Sequence, residues 1–274
     1  MIALTPTPEA QNELHFQDRD YLSWSAISTF RSCPLKFFYR YVAQVPEERR
    51  SANLVFGGAI HAALELHFQE RLAGNATPTL DALMSAYYRE WGEVDLASVV
   101  YSGDDDLGSL SMLAERMLTA FQASPLAQPT GTTIGIEEEV RAAILPDCPD
   151  VLGRIDLVLE SADEIRIIDF KTSRCRWSAS QVGESAGQLL LYGQLAANMA
   201  DDKLVRLSFA VITKTKTPDI ALHDVPFDAQ QLARTRNIIS HVWQAITDGH
   251  FYPNPSALNC PTCPFRDRCA RWAG

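Results

Sequence analysis

The sequence predicts a mixed α/β protein, because segments with helical periodicity alternate with short β-branched segments along the chain. The 274 residues, 46% of them hydrophobic, suffice for one large domain or for a core with an appended helical part. A strand pair in the middle of the chain is the clearest feature. Residues 151–159 and 165–170 are apolar, β-branched runs separated by the polar turn Ser161–Glu164, which is typical of a β-hairpin.

The composition argues against several classes of protein. A net charge of −10 disfavours a general, sequence-independent nucleic-acid binder, although a local basic groove can lie within an acidic surface. No apolar run reaches the roughly eighteen residues of a membrane span, and the first residues lack the basic start and apolar stretch of a signal peptide. We therefore expect a cytoplasmic protein with no membrane association, in which residues 1–20 form a loose lead-in.

A broken helix is predicted after the lead-in. The segment from Ser25 to Val42 has a helix capped by Ser25, which is interrupted before Pro34 and then continues. Cys33 lies at the interruption. The aromatic residues of this segment fit core packing better than base stacking: Phe37, Phe38, Tyr39 and Tyr41.

The next helix, predicted over residues 56–72, begins at a Gly-Gly pair and carries His61. A single histidine in such a helix is more often packed or at the surface than a ligand. Residues 76–128 then look like an insertion or cap without a chemical signature, with helices over 80–91 and 109–121 around an acidic loop.

Two carboxylates in the central hairpin suggest a metal site. A strand over 133–145 precedes the hairpin, whose first strand contains Asp156 and whose second strand ends near Asp169. Two carboxylates side by side require a nearby cation or protonation of one of them. Mg²⁺ takes one or two carboxylates plus substrate phosphate oxygens. Lys171 lies two residues after Asp169 and so on the same face, where its ammonium can orient a water or neutralise charge on a phosphate.

The rest of the chain continues the alternation. Arg174 and Arg176 follow the hairpin and are either phosphate contacts or solvated side chains. Gln188 and Tyr192 share one face of the following helix, and a later strand ends in Lys214 and Lys216. The predicted elements are a helix over 185–199, strands over 204–213 and 220–225, and a helix over 229–247.

The six cysteines suggest a metal centre rather than disulfides, as expected of a cytosolic chain. Cys260, Cys263 and Cys269 have the spacing C-x2-C-x5-C, which supplies three thiolates of a four-ligand site. Cys33 is the candidate for the fourth, because it too precedes a proline at a helix break. Four thiolates suit either structural zinc or an iron–sulfur cluster. Cys148 and Cys175 have no spaced partner.

Taken in this order, the motifs resemble those of the PD-(D/E)XK nuclease superfamily, in particular its RecB-like branch. That branch includes the nuclease domains of the RecBCD and AddAB helicase–nucleases, exonuclease V and the CRISPR adaptation nucleases. Four motifs carry the resemblance: G-x-x-H at Gly58–His61, G-x-x-D at Gly153–Asp156, D-x-K at Asp169–Lys171 and Q-x-x-x-Y at Gln188–Tyr192. The resemblance covers most of residues 24–270 and implies a restriction-endonuclease-like αβββαβ core with helical additions, within a single nuclease domain over 21–274.

The resemblance also implies a reaction, the hydrolysis of DNA phosphodiester bonds with Mg²⁺ or Mn²⁺. It implies exonuclease action on single strands or DNA ends in repair, recombination or CRISPR-type processing, with a helicase or another recombination or CRISPR protein as a partner. The implied metal ligands are His61, Asp156, Asp169 and the Phe170 carbonyl. Lys171 is implied to position the water or stabilise the transition state, and Gln188 and Tyr192 to hold the lysine or contact the DNA backbone. The alternative is a non-catalytic DNA-binding or adaptor subunit of a helicase–nuclease assembly.

Iron–sulfur members of the branch have one cysteine before the core and three after it. The match of Cys33, Cys260, Cys263 and Cys269 to that arrangement implies a [4Fe–4S] cluster, with structural Zn²⁺ as the alternative. Such a cluster would tie the segment 258–270 to the beginning of the chain.

Overall fold

The computed structural model describes residues 20–197 and 202–273, which form two compact units. The sheet unit comprises Ser51–Val140 and Gly153–Leu232, and the cysteine unit comprises the described residues up to Arg50, Arg141–Leu152 and those from Ala233 onward. The lead-in predicted for residues 1–20 lies outside the described residues except for Asp20.

The α/β class is confirmed, because helices and strands alternate along the described chain. The helices are α1 (Trp24–Ser32), α2 (Pro34–Phe37), α3 (Ala52–Leu72), α4 (Leu80–Gly92), α5 (Leu107–Gln122), α6 (Ala179–Leu195), α7 (Ala229–Thr247) and α8 (Arg266–Cys269). The strands are β1 (Tyr21–Ser23), β2 (Arg50–Ser51), β3 (Val99–Val100), β4 (Thr132–Ala142), β5 (Asp150–Glu160), β6 (Glu164–Ser173), β7 (Leu204–Thr213) and β8 (Ile220–Val225).

A mixed sheet forms the middle of the sheet unit. Strands β5 and β6 make the predicted antiparallel hairpin, with Leu157 opposite Ile168, and β4 pairs with β5. Strand β7 runs parallel to β6, with Asp169 opposite Phe209, and β8 returns antiparallel to β7. Because β6 and β7 are parallel, their carboxyl ends meet at the same edge of the sheet.

Helices cover both faces of this sheet. One hydrophobic core joins α3, α4 and α5 to one face, so the helices of the predicted insertion are part of the main packing of this unit. Its members include Phe56, Leu64, Leu83, Tyr87, Leu118, Phe121, Leu157, Ile168, Phe170 and Ile212. Helix α6 lies on the opposite face, where a Cβ built on Gly193 would be 3.0 Å from the Leu207 side chain. Since successive strand residues point to opposite faces, Leu207 and Ile212 belong to different layers.

Four helix starts differ from the sequence prediction, since α3 begins at Ala52 rather than at residue 56 and α5 at Leu107 rather than at residue 109. Ser23, and not Ser25, caps α1, because its side chain accepts a hydrogen bond from Ala26 N at 3.2 Å. Helix α6 begins at residue 179 rather than 185, because Ser178 and Gln181 form a capping box there. The end predicted for α6 includes residues 198 and 199, which lie outside the described residues.

The cysteine unit has a core of aromatic side chains. Phe37 and Phe38, in the broken helix, pack with Phe30 and Phe251 at ring-centroid distances of 5.1–6.4 Å. Leu35 N donates a hydrogen bond to Tyr252 O at 2.9 Å, which joins α2 to the segment after α7. Strand β1 pairs in parallel with the first residues of β5. In neither unit is any described helix both long and apolar enough to cross a membrane.

Candidate active site

Three side chains that can bind a metal converge from α3, β4 and β5. His61, Glu137 and Asp156 each offer one ligand atom, and these atoms lie within 4.8 Å of one another. His61 Nδ1 is 3.6 Å from Asp156 Oδ2. An imidazole nitrogen with carboxylate oxygens is a suitable donor set for a divalent ion such as Mg²⁺ or Mn²⁺. The residues present therefore fit the metal that the sequence motifs imply.

Asp156 is held in place across the hairpin. Its Oδ2 accepts a hydrogen bond from Phe170 N at 2.6 Å, so the backbone of β6 orients the carboxylate of β5. Burial, and then the neighbouring charge of Asp169, raise the pKa of Asp156 to about 7. Burial lowers the pKa of His61, while the Asp169 charge and a hydrogen bond with the Phe170 backbone oppose that change. The site thus stabilises neutral forms of its groups until a cation is bound.

The sequence did not identify Glu137 as a site residue. It lies in β4 with φ of 51°, a left-handed backbone conformation that is unfavourable for a residue with a side chain. Burial and then the charge of Asp156 raise the pKa of Glu137 to about 7. Arg154 Nε is its cationic neighbour, 3.5 Å from Glu137 Oε2. The distorted strand aims a third ligand at His61 and Asp156.

The burial pattern of β4 shows the same irregularity. The buried positions of the strand are Thr133, Gly135 and Val140, so the alternation of inward and outward residues changes between Gly135 and Val140. Such a change of parity requires an irregularity in the strand. The sequence shows only three consecutive glutamates there, and their parity cannot be assigned before the irregular residue is located.

Lys171 lies at the centre of a second set of contacts, between β6 and α6. Its Nζ is 2.5 Å from Asp169 Oδ2 and donates a hydrogen bond to Gln188 Oε1 at 3.0 Å. Gln188 Nε2 in turn donates to Tyr192 OH at 2.9 Å, one helical turn further on. Asp169 is only 2% exposed, and burial raises the pKa of Tyr192 to about 12. The ammonium is therefore fixed in position by a chain of side chains.

The predicted site residues fall into these two neighbouring sets. His61 and Asp156 join Glu137, whereas Asp169 lies against Lys171, although the charge of Asp169 acts on both His61 and Asp156.

Gly153, which opens the G-x-x-D motif, lies under the ring of Tyr192. A Cβ at this position would be 2.8 Å from that ring, so only glycine allows strand and helix to approach this closely.

The four cysteines of the predicted cluster lie near one another in the cysteine unit. Burial raises the pKa of the Cys269 thiol, and charges on Cys33, Cys263 and Cys260 add to this effect. All four are free thiols, as are Cys148 and Cys175. Within the described residues, the His61 group is the one set of three or more such ligand atoms that all lie within 4.8 Å of one another, so no three of the four sulfurs are gathered that closely.

Backbone amides point at two of these sulfurs. Asn254 N donates to Cys33 Sγ at 3.5 Å, and Ser256 N donates to Cys260 Sγ at 3.2 Å. Hydrogen bonds to sulfur stabilise thiolates that bind metals. The charge of Lys36 acts on Cys263 in the same direction, against the effect of burial. This donor set fits a metal centre with four thiolate ligands.

The fold and the site together define an α/β protein in which a histidine–carboxylate group with the donor atoms for a divalent metal lies beside a fixed lysine. A family model of the PD-(D/E)XK nuclease superfamily matches residues 21–270. Because this match spans most of the chain, the protein belongs to the PD-(D/E)XK nuclease superfamily.

Solved structures provide a second comparison. A protein from Eubacterium rectale, provisionally named an exonuclease, has a TM-score of 0.57 and 12% identity, over 99% of this chain and 92% of that chain. At that identity the likeness shows a shared fold alone. A second structure, described as SSO0001, has a TM-score of 0.43 and 13% identity, over 96% of this chain and 93% of the other. A comparison with curated proteins finds no match.

Proposed function

We propose that this protein is a deoxyribonuclease that uses Mg²⁺ or Mn²⁺ to hydrolyse phosphodiester bonds. One observation carries the proposal: the ligand atoms of His61, Glu137 and Asp156 lie within 4.8 Å of one another. The paired Asp169 and Lys171 follow on the adjacent strand. A metal-ligand set beside a fixed ammonium is the arrangement that phosphodiester hydrolysis needs, since negative charge builds on the phosphate as the bond breaks.

The residues divide into metal ligands and lysine-positioning groups. His61, Glu137 and Asp156 would hold the ion, with Asp169 and the Phe170 carbonyl beside them. When bound, the ion polarises the scissile phosphate and lowers the pKa of a coordinated water. Because their pKa values are raised, Asp156 and Glu137 are ready to exchange protons for a cation near neutral pH.

Lys171 supplies a positive charge beside the metal ligands. Its ammonium is held by Asp169 and Gln188 and is 31% exposed, so it can reach a bound phosphate. In that position it orients the attacking water or stabilises charge in the transition state. Gln188 and Tyr192 are positioning residues, because they act on the reaction through Lys171.

The proposed substrate is DNA, cut from the ends of strands. The resemblance to the RecB-like branch supports exonuclease action on single strands or DNA ends, and the name of the Eubacterium rectale neighbour agrees with it. The same resemblance supports a role in repair, recombination or CRISPR-type processing beside a helicase or similar partner. A cytoplasmic location fits the six free thiols, which persist in a reducing compartment.

We further propose that Cys33, Cys260, Cys263 and Cys269 hold a [4Fe–4S] cluster. The resemblance to iron–sulfur members of the RecB-like branch, which have one cysteine before the core and three after it, supports a cluster over a single structural zinc. Iron and sulfide analysis of anaerobically purified protein, with its visible absorption, tests this. Brown protein with about four irons per chain is expected, and colourless protein containing zinc would contradict it.

The nuclease proposal is tested by incubating end-labelled single- and double-stranded DNA with Mg²⁺, Mn²⁺ or EDTA. Lys171→Ala is compared with wild type, and Lys203→Ala serves as the control, since Lys203 pairs with Glu160 at the far end of β7. We expect metal-dependent cutting that Lys171→Ala loses and Lys203→Ala keeps. Folded wild-type protein that never cuts DNA would instead support a non-catalytic adaptor.

A further inference from the structure

A basic segment lies where β6 and β7 end, beyond the residues already assigned. Lys214 follows the last residue of β7, and its backbone N donates to Ser173 O, at the end of β6, at 2.6 Å. Arg174 follows Ser173, and Lys216 lies two residues after Lys214. The parallel pairing of the two strands therefore gathers three cations at one edge of the sheet. Lys171 lies on the same strand as Ser173, about 7 Å earlier at the usual rise per residue.

These three cations lack the acidic partners that neighbouring cations have. In the sheet unit Arg176 pairs with Asp219 at 3.0 Å, and Arg166 pairs with Glu164 at 3.0 Å. Within residues 20–197 and 202–273, no salt bridge within 4 Å involves Arg174, Lys214 or Lys216, and the acidic charge that acts on Lys214 is that of Asp105, which lies further away. In a chain of net charge −10, a basic group without salt bridges produces a local positive potential that attracts anions.

The Lys214 ammonium is oriented by helix α3. Its Nζ donates to Asn53 Oδ1 at 3.3 Å and lies 5.5 Å from the centre of the Phe56 ring. Burial and the charge of Arg174 lower its pKa, while Asp105 opposes this change. A half-buried ammonium with a neutral amide partner binds an incoming phosphate with little further loss of side-chain freedom.

Two successive glycines of α3, Gly57 and Gly58, lie between Asn53, which contacts this ammonium, and His61 of the metal group. Asn53, Gly57 and His61 are spaced four residues apart and share one face of α3. Over these eight residues the helix rises about 12 Å. Gly57 faces Thr172 Oγ1, 3.8 Å from an added Cβ, and Gly58 has open space, with no atom within 4 Å. Glycine lets another backbone approach closely, and here two occur in succession.

We propose that Lys214, with Arg174 and Lys216, binds a backbone phosphate of the nucleic-acid strand, which crosses the Gly57–Gly58 surface of α3 to reach the metal group at His61. This inference rests on the proposed nuclease function and adds the path of the substrate. The ligand recognised is a strand with more than one phosphate, because the cation group and the metal group lie at opposite ends of the segment from Asn53 to His61. Arg174 and Lys216, both exposed, can follow the strand as it leaves the protein.

The test measures how salt weakens DNA binding. The Lys171→Ala variant is used in Mg²⁺ so that a dye-labelled single-stranded oligonucleotide is bound without being cut. Fluorescence anisotropy then gives the affinity for the oligonucleotide at several KCl concentrations. Lys214→Gln and Lys203→Gln are added to this background as a matched pair, since the two lysines flank opposite ends of β7. The slope of log affinity against log salt is negative, and its magnitude should become smaller by about 0.7 when one phosphate contact to a single strand is lost.

We expect Lys214→Gln to reduce this slope and to weaken binding several-fold at low salt, while Lys203→Gln leaves both unchanged. Lys214→Arg should restore the slope, which separates loss of charge from misfolding. Equal slopes for Lys214→Gln and Lys203→Gln, with binding intact, would overturn the path while leaving the nuclease function standing. If the wild type neither cuts nor binds DNA, the nuclease function and the path fail together.

Discussion

Lys171 Nζ lies 2.5 Å from Oδ2 of Asp169, two residues earlier on strand β6. The same ammonium donates to Gln188 Oε1, so strand and helix fix the lysine jointly. Neither Gln188 nor Tyr192 belongs to the His61 metal group. Gln188 and Tyr192 can therefore be altered without removing a member of the metal group, whereas Asp169 acts on both the lysine and that group.

Replacing Gln188 should impair catalysis more than binding. Gln188→Ala removes the acceptor that orients Lys171, and we expect kcat to decrease about 10- to 100-fold with a smaller change in KM. Tyr192→Phe leaves Gln188 in place and removes the acceptor of its Nε2, together with the Tyr192 contact to the Arg154 backbone, so the loss in kcat should be smaller. Steady-state kinetics on a labelled oligonucleotide checks both. An unchanged kcat in Gln188→Ala would mean that the lysine does not depend on this contact.

Glu137 should contribute to metal affinity although no motif contains it. Glu137→Gln keeps the shape of the side chain and removes its charge, so we expect Mn²⁺ to bind at least about 10-fold more weakly in calorimetry. Glu139→Gln is the matched control, because Arg154 contacts both carboxylates and Glu139 is exposed. Equal Mn²⁺ affinities of the two variants would remove Glu137 from the ligand set.

The stability of the metal-free protein should decrease as the pH rises. Burial raises the pKa of Asp156 from 3.8, and that of Glu137 from 4.5, to about 7 in each case. Since both folded-state values exceed the unfolded ones, their contribution is complete below about pH 4 and is lost as the pH rises through about 7. In EDTA, unfolding by urea should thus need less denaturant at pH 8 than at pH 5.

Asp156→Asn should reduce that pH dependence. One pKa unit corresponds to about 1.4 kcal/mol. We therefore expect the loss of unfolding free energy between pH 5 and pH 8 to be about 2 kcal/mol smaller in the variant than in the wild type. Added Mn²⁺ should stabilise the wild type at pH 8 and have little effect on this variant. An identical pH dependence in both proteins would show that the Asp156 carboxyl is not strained by its surroundings.

Gly58→Ala should stabilise the fold and weaken DNA binding together. A Cβ at Gly58 meets no atom within 4 Å, and alanine in a helix interior is favoured over glycine by about 0.5–1 kcal/mol. The same methyl group would occupy the surface that the DNA strand is proposed to cross. Gly183→Ala is the control, because Gly183 is an exposed glycine of α6 with equally open space. Both should raise the melting temperature, and only Gly58→Ala should lose affinity for DNA.

Cys260→Ala should lose the proposed cluster and destabilise the protein. The cluster would close a loop of more than two hundred residues between Cys33 and Cys260, which restricts the unfolded chain strongly. Visible absorption, iron content and the melting temperature should all decrease. Cys175→Ala, at an exposed thiol outside the set, should change none of them. Retained iron and unchanged melting in Cys260→Ala would contradict the cluster.

Most elements of the fold could be predicted because their periodicity is local. The hairpin of β5 and β6, strand β7 and helix α7 lie where their apolar patterns indicate. Helix starts were less certain, since they depend on which of two nearby serines accepts the capping hydrogen bond. Ser23 does so for α1 because strand β1 leads the chain directly into that position.

The site was predictable only in part, for reasons that lie in tertiary structure. The motif spacings marked His61, Asp156 and Lys171, but no spacing reports the left-handed residue in β4 that turns Glu137 inward. Nor does it report that Asp169 contacts Lys171 more closely than the metal group. Both features arise from packing between elements that are distant in sequence.

The most direct test of the account is single-turnover cleavage of a 5′-labelled single-stranded oligonucleotide as a function of Mn²⁺ concentration, for wild type and Asp156→Asn. We predict wild-type cleavage that saturates with Mn²⁺ and disappears in EDTA, and no cleavage by Asp156→Asn over the same Mn²⁺ range. Cleavage that persists in EDTA, or that Asp156→Asn leaves at the wild-type rate, would contradict the claim that His61, Glu137 and Asp156 hold the catalytic metal.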